Sequence, residues 1–575
     1  MPHRTVRFEP DQSGAAHRCD AAHEPRTTMI TTFVPAVANA LWAGRSFHHA
    51  MRFRRAHRHP AATQYRLLRT LLRANADTEY GREYGFREIR TVARYRERVP
   101  LTTWEDYAPY VQRILTGERG VLTRGIVRSL IPSSGSTSAR KLVPYTRDLQ
   151  SAFDRAIGPW IVDLYRRQPA LATGRAYWSI SPAGEAFRDD RHRVPIGFDS
   201  DTKYLGGLIG HIIDHALAVP TCVRLIDDLD TFRYVSALFL LRARDLTLIS
   251  VWHPSFLLLL LGAIDAHWDR LLDDVRHGTL SPPRPLCDKV RRIVARRLAP
   301  DARRADELRR IGTFEANAAA CWPRLGLISA WGDAHAALDL DRVRTAFPGV
   351  TIQPKGLIAT EGFVTLPFNG MRPLALRSHF FEFVDDRGDV HGVEALEQGH
   401  TYSIVMTTQG GLYRYRLRDK VTVEGFCDRT PSLAFQGRDD RVSDRCGEKL
   451  NESFVTKVLA DLFQTHRIMP GFATLRPRCV DGRWRYVLLL DLEHAPPAHL
   501  VRDLEQGLGR NPNYSYCVRL GQLAPAEIEI LPPGALGRHV EAKRMHGIRA
   551  GDVKPQALDI PAGHPASVAL QISPP

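Results

Sequence analysis

Residues 131–146, IPSSGSTSARKLVPYT, gather small hydroxylated side chains around one glycine and end in a lysine followed by apolar residues. A phosphate group spreads its negative charge over several oxygens, which convergent N–H and O–H donors and one cation can match. Gly135 lets the backbone approach a ligand, and Lys141 supplies the cation. The hydroxyl donors are Ser133, Ser134, Ser136, Thr137 and Ser138. The segment therefore predicts a phosphate-binding loop, with a plain surface turn as the alternative.

This loop is not a Walker A motif. That motif ends in Gly-Lys-Ser/Thr, whereas here Arg140 precedes the lysine and Leu142 follows it. The loop therefore has to be interpreted with the rest of the chain.

Lysine is scarce in this chain. Of the 79 basic residues only nine are lysines, and none precedes Lys141. Arginine does not replace lysine where a compact and mobile ammonium group is needed. The bias therefore directs attention to the contexts of Lys141, Lys449 and Lys554.

The loop is similar to one in a known group of enzymes. The stretch SSGSTSARKLVPYT resembles the nucleotide loop of the adenylate-forming superfamily, which includes luciferases and acyl-CoA synthetases. More narrowly, the chain from about residue 60 resembles the auxin-responsive acyl acid amido synthetase family, also through TEYGREYGF, GFVTLPF, FFEFVDD and GLYRYRLRD. The resemblance implies a bacterial member of a family that uses ATP to join a carboxylic acid to an amine.

Three motifs form the ATP site of that family, and the resemblance gives each a position here. The serine-rich loop is 133–141, the second motif is Ala359-Thr360-Glu361, and the third is Tyr415-Arg416-Leu417-Arg418-Asp419. Three further cations lie in matching contexts, Arg438 in FQGR, Lys449 in GEKLNE and Lys554 in GDVKPQAL.

The resemblance also implies roles that suit these side chains. Asp419 can accept both ribose hydroxyls through its two carboxylate oxygens. Glu361 is suited to Mg²⁺, which prefers one or two carboxylates together with phosphate oxygens. Attack on the α-phosphorus builds negative charge on the phosphate oxygens, so the predicted catalytic cations are Arg438, Lys449 and Lys554.

Each assignment leaves a structural alternative open. Asp419 can simply end a hairpin, Glu361 can pair with an arginine, and Lys449 can be an exposed residue in the first turn of a helix. Lys543 in VEAKRMHG competes with Lys554 for the role of the C-terminal lysine. Tyr413 and Tyr415 fit hairpin packing better than stacking on a base.

Three positions depart from the family pattern. Ala139-Arg140 stand where many relatives have a second glycine, and Arg418 replaces the glycine of the third motif. Leu357 replaces an aromatic residue before the small-residue pair. None of these changes removes a charged group that the reaction needs.

The elements that must position these residues indicate an α/β fold. Helical spacing of apolar residues covers 64–76, 100–115, 145–167 and 261–276. Short buried strands are predicted for RAYWSISP, VPIGFDS and LTLISVWHPS. We expect a large N-terminal domain of β-sheets flanked by helices.

From residue 378 the pattern changes to antiparallel strands. SHFFEFVDD, TYSIVMTT and LYRYRLRD alternate with a period of two, and Gln409-Gly410-Gly411 marks a hairpin turn. This part predicts a β-barrel-like portion of the large domain. A helix near 448 and the strand RWRYVLLLDLE then predict a small α+β domain.

The length of 575 residues predicts two or more domains, because a single core stops growing at roughly 250–300 residues. We expect residues 1–60 to form a basic, partly disordered extension that ends in a leading helix, which opens near Met29. Residues 61–434 would bind the nucleotide and the acyl acid. Residues 435–575 would form a small mobile lid that rotates between half-reactions and shields the adenylate from water.

The composition limits the class of protein. The net charge of +16 is diffuse, without an RNA-binding aromatic motif or a basic stripe, so we expect no nucleic-acid partner. The eight cysteines form no CxxC pair or Cys/His cluster, which favours reduced thiols. The apolar run 256–264 is too short to span a membrane, and no secretory signal is visible. We expect a cytoplasmic monomer or weak oligomer.

The function predicted from these observations is an ATP- and Mg²⁺-dependent ligase that forms an acyl-adenylate and transfers the acyl group to an amino acid. Transfer to coenzyme A or another thiol is one alternative, since both reactions share the first step. A non-catalytic, basic nucleic-acid-binding protein is the second. The segments 177–182, 251–256 and 328–333 are expected walls of the acyl pocket, although Trp252, Phe256 and Trp331 also fit a core.

Overall fold

A computed structural model of the protein describes residues 27–132, 141–178, 193–197, 216–439, 441–480, 482–545 and 553–560. The helices are α1 (Thr27–Ala56), α2 (Pro60–Ala74), α3 (Glu79–Glu83), α4 (Val92–Arg98), α5 (Trp104–Leu115), α6 (Arg147–Arg167), α7 (Leu229–Arg242), α8 (Pro254–Ala266), α9 (Trp268–His277), α10 (Asp288–Ala295), α11 (Ala302–Ile311), α12 (Phe314–Asn317), α13 (Ala336–Ala346), α14 (Glu452–His466), α15 (Leu500–Leu508), α16 (Pro512–Arg519) and α17 (Ala535–Met545). Short 3₁₀ helices cover Pro169–Thr173, Thr221–Leu225, Ala318–Cys321 and Val393–Ala395.

The strands fall into several sheets. They are β1 (Ser129–Pro132), β2 (Leu142–Tyr145), β3 (Arg175–Trp178), β4 (Leu246–Ser250), β5 (Leu327–Ala330), β6 (Thr351–Pro354), β7 (Phe380–Val384), β8 (Val390–His391), β9 (Thr401–Thr407), β10 (Tyr415–Cys427), β11 (Thr430–Arg438), β12 (Val442–Ser443), β13 (Leu450–Asn451), β14 (Phe472–Val480), β15 (Arg483–Asp491) and β16 (Glu527–Leu531). The predicted α/β class is confirmed.

A four-stranded parallel sheet in the order β3-β4-β5-β6 lies in the first part of the large domain. Ile249 and Ile328 pack with the side chains of α7 and α8, whereas Leu248 and Leu327 pack with Leu164 of α6. Strands covered in this way become short apolar runs, as in the five buried residues of β4. Because the strands are parallel, their carboxyl ends lie at one edge, where α/β proteins commonly bind ligands.

A five-stranded antiparallel sheet in the order β11-β10-β9-β7-β8 follows. The burial of β10 alternates along most of its length, as the sequence pattern predicts for a strand with one covered face. Met406 of β9 pairs with Tyr415 of β10, so the chain reverses between them through the predicted Gln409-Gly410-Gly411 turn. This sheet accounts for the antiparallel portion predicted from residue 378 onward.

The N-terminal helices pack against these sheets. Helix α1 lies along α6. In α2, the Gln64 amide donates to the carbonyls of Leu376 and His379 at 2.8 Å, and its oxygen accepts from the N–H of Phe381 at 2.7 Å. The predicted leading helix is therefore present from Thr27, and residues 1–26 lie outside the described part of the chain.

The C-terminal part has its own sheet and core. Strands β14, β15 and β16 form a three-stranded sheet, and its apolar face packs with α14, α15 and α16. Strand β11 continues in the large-domain sheet to Arg438, and β12 begins at Val442. The observed change of sheet therefore falls a few residues after the predicted boundary at 434/435, which stays a prediction as a domain boundary.

Two predicted elements differ from the structure. The helix predicted over 261–276 is divided at His267, which has non-helical φ and ψ between α8 and α9. In the described part of VPIGFDS, Ile196 forms only an isolated bridge with Leu130, and the prediction of a strand there is wrong. Pro195 has no N–H to extend the ladder, although its carbonyl accepts from Leu130.

Two predictions from composition can be compared with the described ranges. No helix in the described ranges is long and apolar enough to cross a membrane. The cysteines that the structure describes are all free thiols rather than disulfides.

Candidate active site

Asp419 lies at a bulge in β10. The pairing register between β9 and β10 shifts between Arg416 and Lys420, so β10 carries extra residues there. Arg418 sits inside this bulge with a φ of 65°, in the left-handed region that favours glycine. The Arg418 carbonyl accepts a hydrogen bond of 3.0 Å from the N–H of Asp439, just after β11. The backbone shape thus gives a physical reason for the glycine that the family motif has at this position.

Asp419 and Arg438 form an ion pair across β10 and β11. The two residues are direct partners in the strand register, and Arg438 Nη1 lies 3.2 Å from Asp419 Oδ1. The carboxylate is almost fully buried, whereas the guanidinium is partly exposed. Asp419 therefore does more than end a hairpin, because it brings a buried carboxylate beside a predicted phosphate-binding cation.

Glu361 lies in a tight turn that is closed by hydrogen bonds between Ala359 and Gly362. A side chain at Gly362 would collide with buried His379, since a Cβ there would lie 2.2 Å from His379 Nε2. Burial raises the pKa of Glu361, while the positive charges of Arg438 and Lys141 favour its ionised form. Glu361 therefore belongs to the same cluster as the Asp419–Arg438 pair.

Tyr415 connects the second and third motifs. Tyr415 lowers the pKa of Glu361, whereas burial followed by the nearby charge of Glu361 raises the pKa of Tyr415. Tyr413 is different, because it is fully buried, stacks on Tyr80 with 4.9 Å between ring centroids, and donates to the Leu122 carbonyl. Tyr413 is therefore a packing residue, as the sequence indicates, whereas Tyr415 lies in the candidate site.

Lys141 reaches the same cluster from another element. It directly precedes β2, which pairs with β1 in a hairpin whose loop contains the serine-rich motif. Its charge acts on both Glu361 and Glu105. The predictions for Ser133, Ser134, Gly135, Ser136 and Thr137 lie outside the described residues.

Lys449 is an exposed residue of the turn between β12 and β13, with a φ of 45°. The neighbouring Glu448 is fully buried and fixes this turn, since its carboxylate accepts from the backbone N–H groups of Arg445 and Cys446 and from the Tyr486 hydroxyl. Lys449 precedes α14 rather than lying in its first turn. The sequence prediction did not include Glu448, whose burial depends on Tyr486 in the distant β15.

The structure distinguishes the two C-terminal lysines. The Lys543 ammonium lies 3.9 Å from Asp559, within the small domain. The Lys554 ammonium lies 5.6 Å from the ring centroid of Trp331, directly after β5 of the large domain. The charge of Lys554 also contributes to the lowered pKa of buried His253. These positions favour Lys554 as the lysine that faces the large domain.

Two other predicted residues contribute less to this cluster. The Arg416 side chain is exposed, and its backbone N–H donates to the Thr102 carbonyl at 2.8 Å. Thr360 is half-buried in the turn that carries Glu361. Their assignment to nucleotide binding stays a prediction.

The predicted walls of the acyl pocket meet at the carboxyl edge of the parallel sheet. Trp178 ends β3, Trp252 follows β4 by two residues, and Trp331 directly follows β5. Phe256 is half-buried in α8 and packs with the core beside Phe232. The sequence identified these segments, but it did not identify Lys355, which follows β6 at the same edge.

Comparison with protein families covers most of the large domain. Residues 49–352 match the N-terminal domain of the GH3 family, and residues 373–438 match its central domain. The first range includes β3 to β5 and the start of β6, and the second includes the antiparallel strands that carry Asp419 and Arg438. Glu361 lies between the two ranges.

Named relatives agree with this match. The chain is 28% identical over 436 residues to a probable indole-3-acetic acid-amido synthetase, GH3.12 of Oryza sativa subsp. japonica, covering 67% of this chain and 70% of that protein. It is 24% identical over 401 residues to the jasmonoyl-L-amino acid synthetase JAR6 of Nicotiana attenuata, covering 65% and 68%.

Solved structures show the same fold. The acyl acid amido synthetase AtGH3.15, in complex with 2,4-DB, matches with a TM-score of 0.80 at 20% identity, covering 90% of this chain and 94% of that one. A 2-hydroxyisobutyryl-CoA ligase in the postadenylation state matches with a TM-score of 0.52 at 13% identity, covering 88% and 91%. The predicted relation to the acyl acid amido synthetases is confirmed, and the chain belongs to the GH3 family.

Proposed function

We propose that this GH3 protein is an ATP-dependent acid–amino acid ligase. A carboxylate oxygen of the acid attacks the α-phosphorus of ATP, and pyrophosphate leaves as the acyl-adenylate forms. The amine nitrogen of an amino acid then attacks the activated carbonyl carbon, loses a proton and displaces AMP. The product is an amide.

The observation that carries this proposal is the convergence of Glu361, Tyr415, Asp419 and Arg438. They come from a turn after β6 and from two antiparallel strands, yet they share an ion pair and mutual electrostatic effects. Lys141 adds a cation from the hairpin that contains the serine-rich loop. Two carboxylates and two cations in one cluster suit a nucleotide, which has a diol at one end and phosphates at the other.

Each side chain has a role that follows from its chemistry. Asp419 accepts hydrogen bonds from the ribose hydroxyls, while Arg438 and Lys141 attract the phosphate oxygens. Glu361 is a buried carboxylate beside two cations and would hold Mg²⁺, which would help to neutralise the triphosphate. Lys449 and Lys554 bring mobile ammonium groups from the small domain to the charge that develops during transfer.

The amine acceptor is inferred from the relatives, whose names describe amido synthetases. A thiol acceptor such as coenzyme A uses the same first half-reaction, so the adenylation site does not separate the two. AMP release with an amino acid, with hydroxylamine and with coenzyme A should separate them. We expect amino acids and hydroxylamine, but not coenzyme A, to give the acylated product.

ATP–pyrophosphate exchange over a panel of carboxylic acids tests the first half-reaction. Asp419→Asn should reduce exchange by about tenfold to a hundredfold, because a charge-assisted hydrogen bond is lost. Lys449→Ala should reduce it by a similar factor. The matched controls are Asp386→Asn and Lys457→Ala, which change exposed residues and should retain exchange. Unchanged exchange in both site variants, or no exchange with any acid, would contradict the proposal.

A further inference from the structure

Lys355 is a buried lysine inside a cage of tryptophan rings. Its ammonium nitrogen lies 4.9 Å from the ring centroid of Trp160, 5.7 Å from that of Trp252 and 5.8 Å from that of Trp178. The residue exposes only 7% of its surface. Indole faces attract a cation, so the cage favours the charged form of a group that burial disfavours.

The hydrogen bonds of this ammonium group are incomplete. Its hydrogen bond in the described parts of the chain goes to the Ser250 hydroxyl at 2.7 Å, and no ion pair is formed there. A lysine ammonium carries three N–H donors, and a buried donor without a partner is costly. Lys355 can therefore donate a hydrogen bond to a further oxygen atom, such as one of a ligand.

The three tryptophans of the cage differ in their surroundings, since Trp160 and Trp178 are held by contacts and Trp252 is exposed. Trp160 Nε1 donates to Gln353 Oε1 at 2.8 Å, and its ring contacts that of Trp178 with 5.5 Å between centroids. Trp252 is 42% exposed, which is unusual for a large aromatic residue. A ligand that stacks on Trp252 would therefore lie close to the ammonium group, at the carboxyl edge of the parallel sheet, the usual ligand edge of such sheets.

Lys355 contacts other residues than those of the nucleotide cluster. It precedes Glu361 by six residues, but its ammonium group contacts Ser250 and three tryptophans, whereas the charges of Arg438 and Lys141 act on Glu361. Lys554 approaches the same sheet edge at Trp331, next to Trp252 in the adjoining strand connection. We therefore expect the acyl group of a bound acid to lie beside Lys355, at the carboxyl edge of the parallel sheet.

We propose that Lys355 is a specificity-determining residue that binds a second anionic oxygen of the acyl acid, at the end remote from the reacting carboxylate. The inference rests on the proposed function and adds the chemical class of its substrate. The preferred acids would be planar or aromatic, to stack on the exposed ring of Trp252, and would carry a second carboxylate or another anionic group. Acids without that group would leave a buried donor unpaired and be rejected.

Direct binding tests this proposal without catalysis. The probes are benzoate, terephthalate and 4-sulfobenzoate, and binding is followed through tryptophan fluorescence and by calorimetry. The two dianionic probes should bind the wild-type protein at least about tenfold more tightly than benzoate does, because each makes an additional charge-assisted hydrogen bond. In 4-sulfobenzoate only the carboxylate can form an adenylate, so the sulfonate reports on recognition of the anionic group at the remote end.

The matched variants are Lys355→Met, Lys355→Arg and Lys289→Met. Lys355→Met should bind all three probes with similar affinity, while Lys355→Arg should keep part of the preference. Lys289 is exposed on α10, so Lys289→Met should behave as the wild type. Equal affinities in the wild type, no binding of any probe, or an unchanged preference in Lys355→Met would overturn the proposal.

Proton uptake separates anion binding from a structural role. Burial lowers the pKa of Lys355 to about 7. In the described part of the chain, its ammonium group contacts the Ser250 hydroxyl and three tryptophan rings, which do not titrate near this pH. Adjacent His253 has a pKa of about 3, lowered by burial and then by Lys554, so it stays neutral. A bound anion should therefore cause proton uptake at pH 7.5 in the wild type and none in Lys355→Met. Calorimetry in two buffers of different ionisation enthalpy measures this uptake.

Failure of the inference differs from failure of the proposed function. If no acid supports pyrophosphate exchange, the proposed function fails, while the binding titrations still report on Lys355. If acids of both kinds support exchange equally and the titrations show no preference, the inference alone fails.

Discussion

At the scale of one residue, the burial of Lys355 destabilises the folded protein whenever this lysine is protonated. Burial lowers its pKa from the ordinary value of 10.5 to about 7. Between these values the unfolded chain holds the proton and the folded chain does not. Folding then releases a proton, so the free energy of unfolding rises as the pH rises from about 7 towards 10.

Lys355→Met removes this dependence. Compared with the wild type, the variant should have its largest stability advantage near pH 7. That advantage should shrink by about 1.4 kcal/mol for each pH unit up to pH 9. Denaturant unfolding at pH 7, 8 and 9 measures the difference, with Lys289→Met as the exposed control. A constant difference across this range would contradict the lowered pKa.

The bulge in β10 acts at the scale of an element. Arg418 holds a left-handed backbone conformation that costs a residue with a side chain roughly 1–2 kcal/mol. Glycine removes that strain but gives the unfolded chain more freedom, which offsets about 0.4–1 kcal/mol. Arg418→Gly should therefore raise the free energy of unfolding slightly. Arg416→Gly, whose φ is not positive, should lower it. Thermal unfolding compares the two, and equal shifts would contradict this account.

The sequence predicted elements that depend on local patterns. The alternation in TYSIVMTT and LYRYRLRD predicts β9 and β10, which the structure contains. The motifs point to Glu361, Asp419 and Arg438, which interact in the structure and whose roles stay a prediction. A lysine after a short strand carries no such signal, because the cage around Lys355 requires rings from α6, β3 and the segment after β4. Glu448 was missed for the same reason. Both residues are buried by parts of the chain that are distant in sequence, so a local pattern does not reveal them.

At the scale of the whole molecule, the small domain rests on the helices of the large one. Phe472, Leu536 and Val553 form an apolar cluster with Leu229 of α7, and the Arg342 guanidinium in α13 donates to the Gly471 carbonyl at 3.0 Å. This contact holds Lys554 beside Trp331. The lid motion that we expect would have to separate these surfaces.

The two C-terminal lysines should therefore respond differently to substitution. Lys554→Ala should reduce pyrophosphate exchange by about a hundredfold, because a cation at the developing charge is lost. Lys543→Ala removes a contact with Asp559 inside the small domain and should keep exchange within about threefold of the wild type. The opposite order would make Lys543 the functional lysine.

The ion pair between Asp419 and Arg438 should affect which adenine compounds the free protein binds. In the structure the carboxylate that we propose for the ribose is paired with the guanidinium that we propose for the phosphates. ATP offers each of them a new partner, whereas adenosine offers one only to the carboxylate, so the ion pair would be given up for a neutral ligand. Arg438→Gln should therefore strengthen adenosine binding while it weakens ATP binding, which calorimetry with both ligands would detect. If Arg438 contacted only phosphate, the substitution would leave adenosine affinity unchanged. An increase would mean that the ion pair makes the free protein discriminate against nucleosides that lack phosphates.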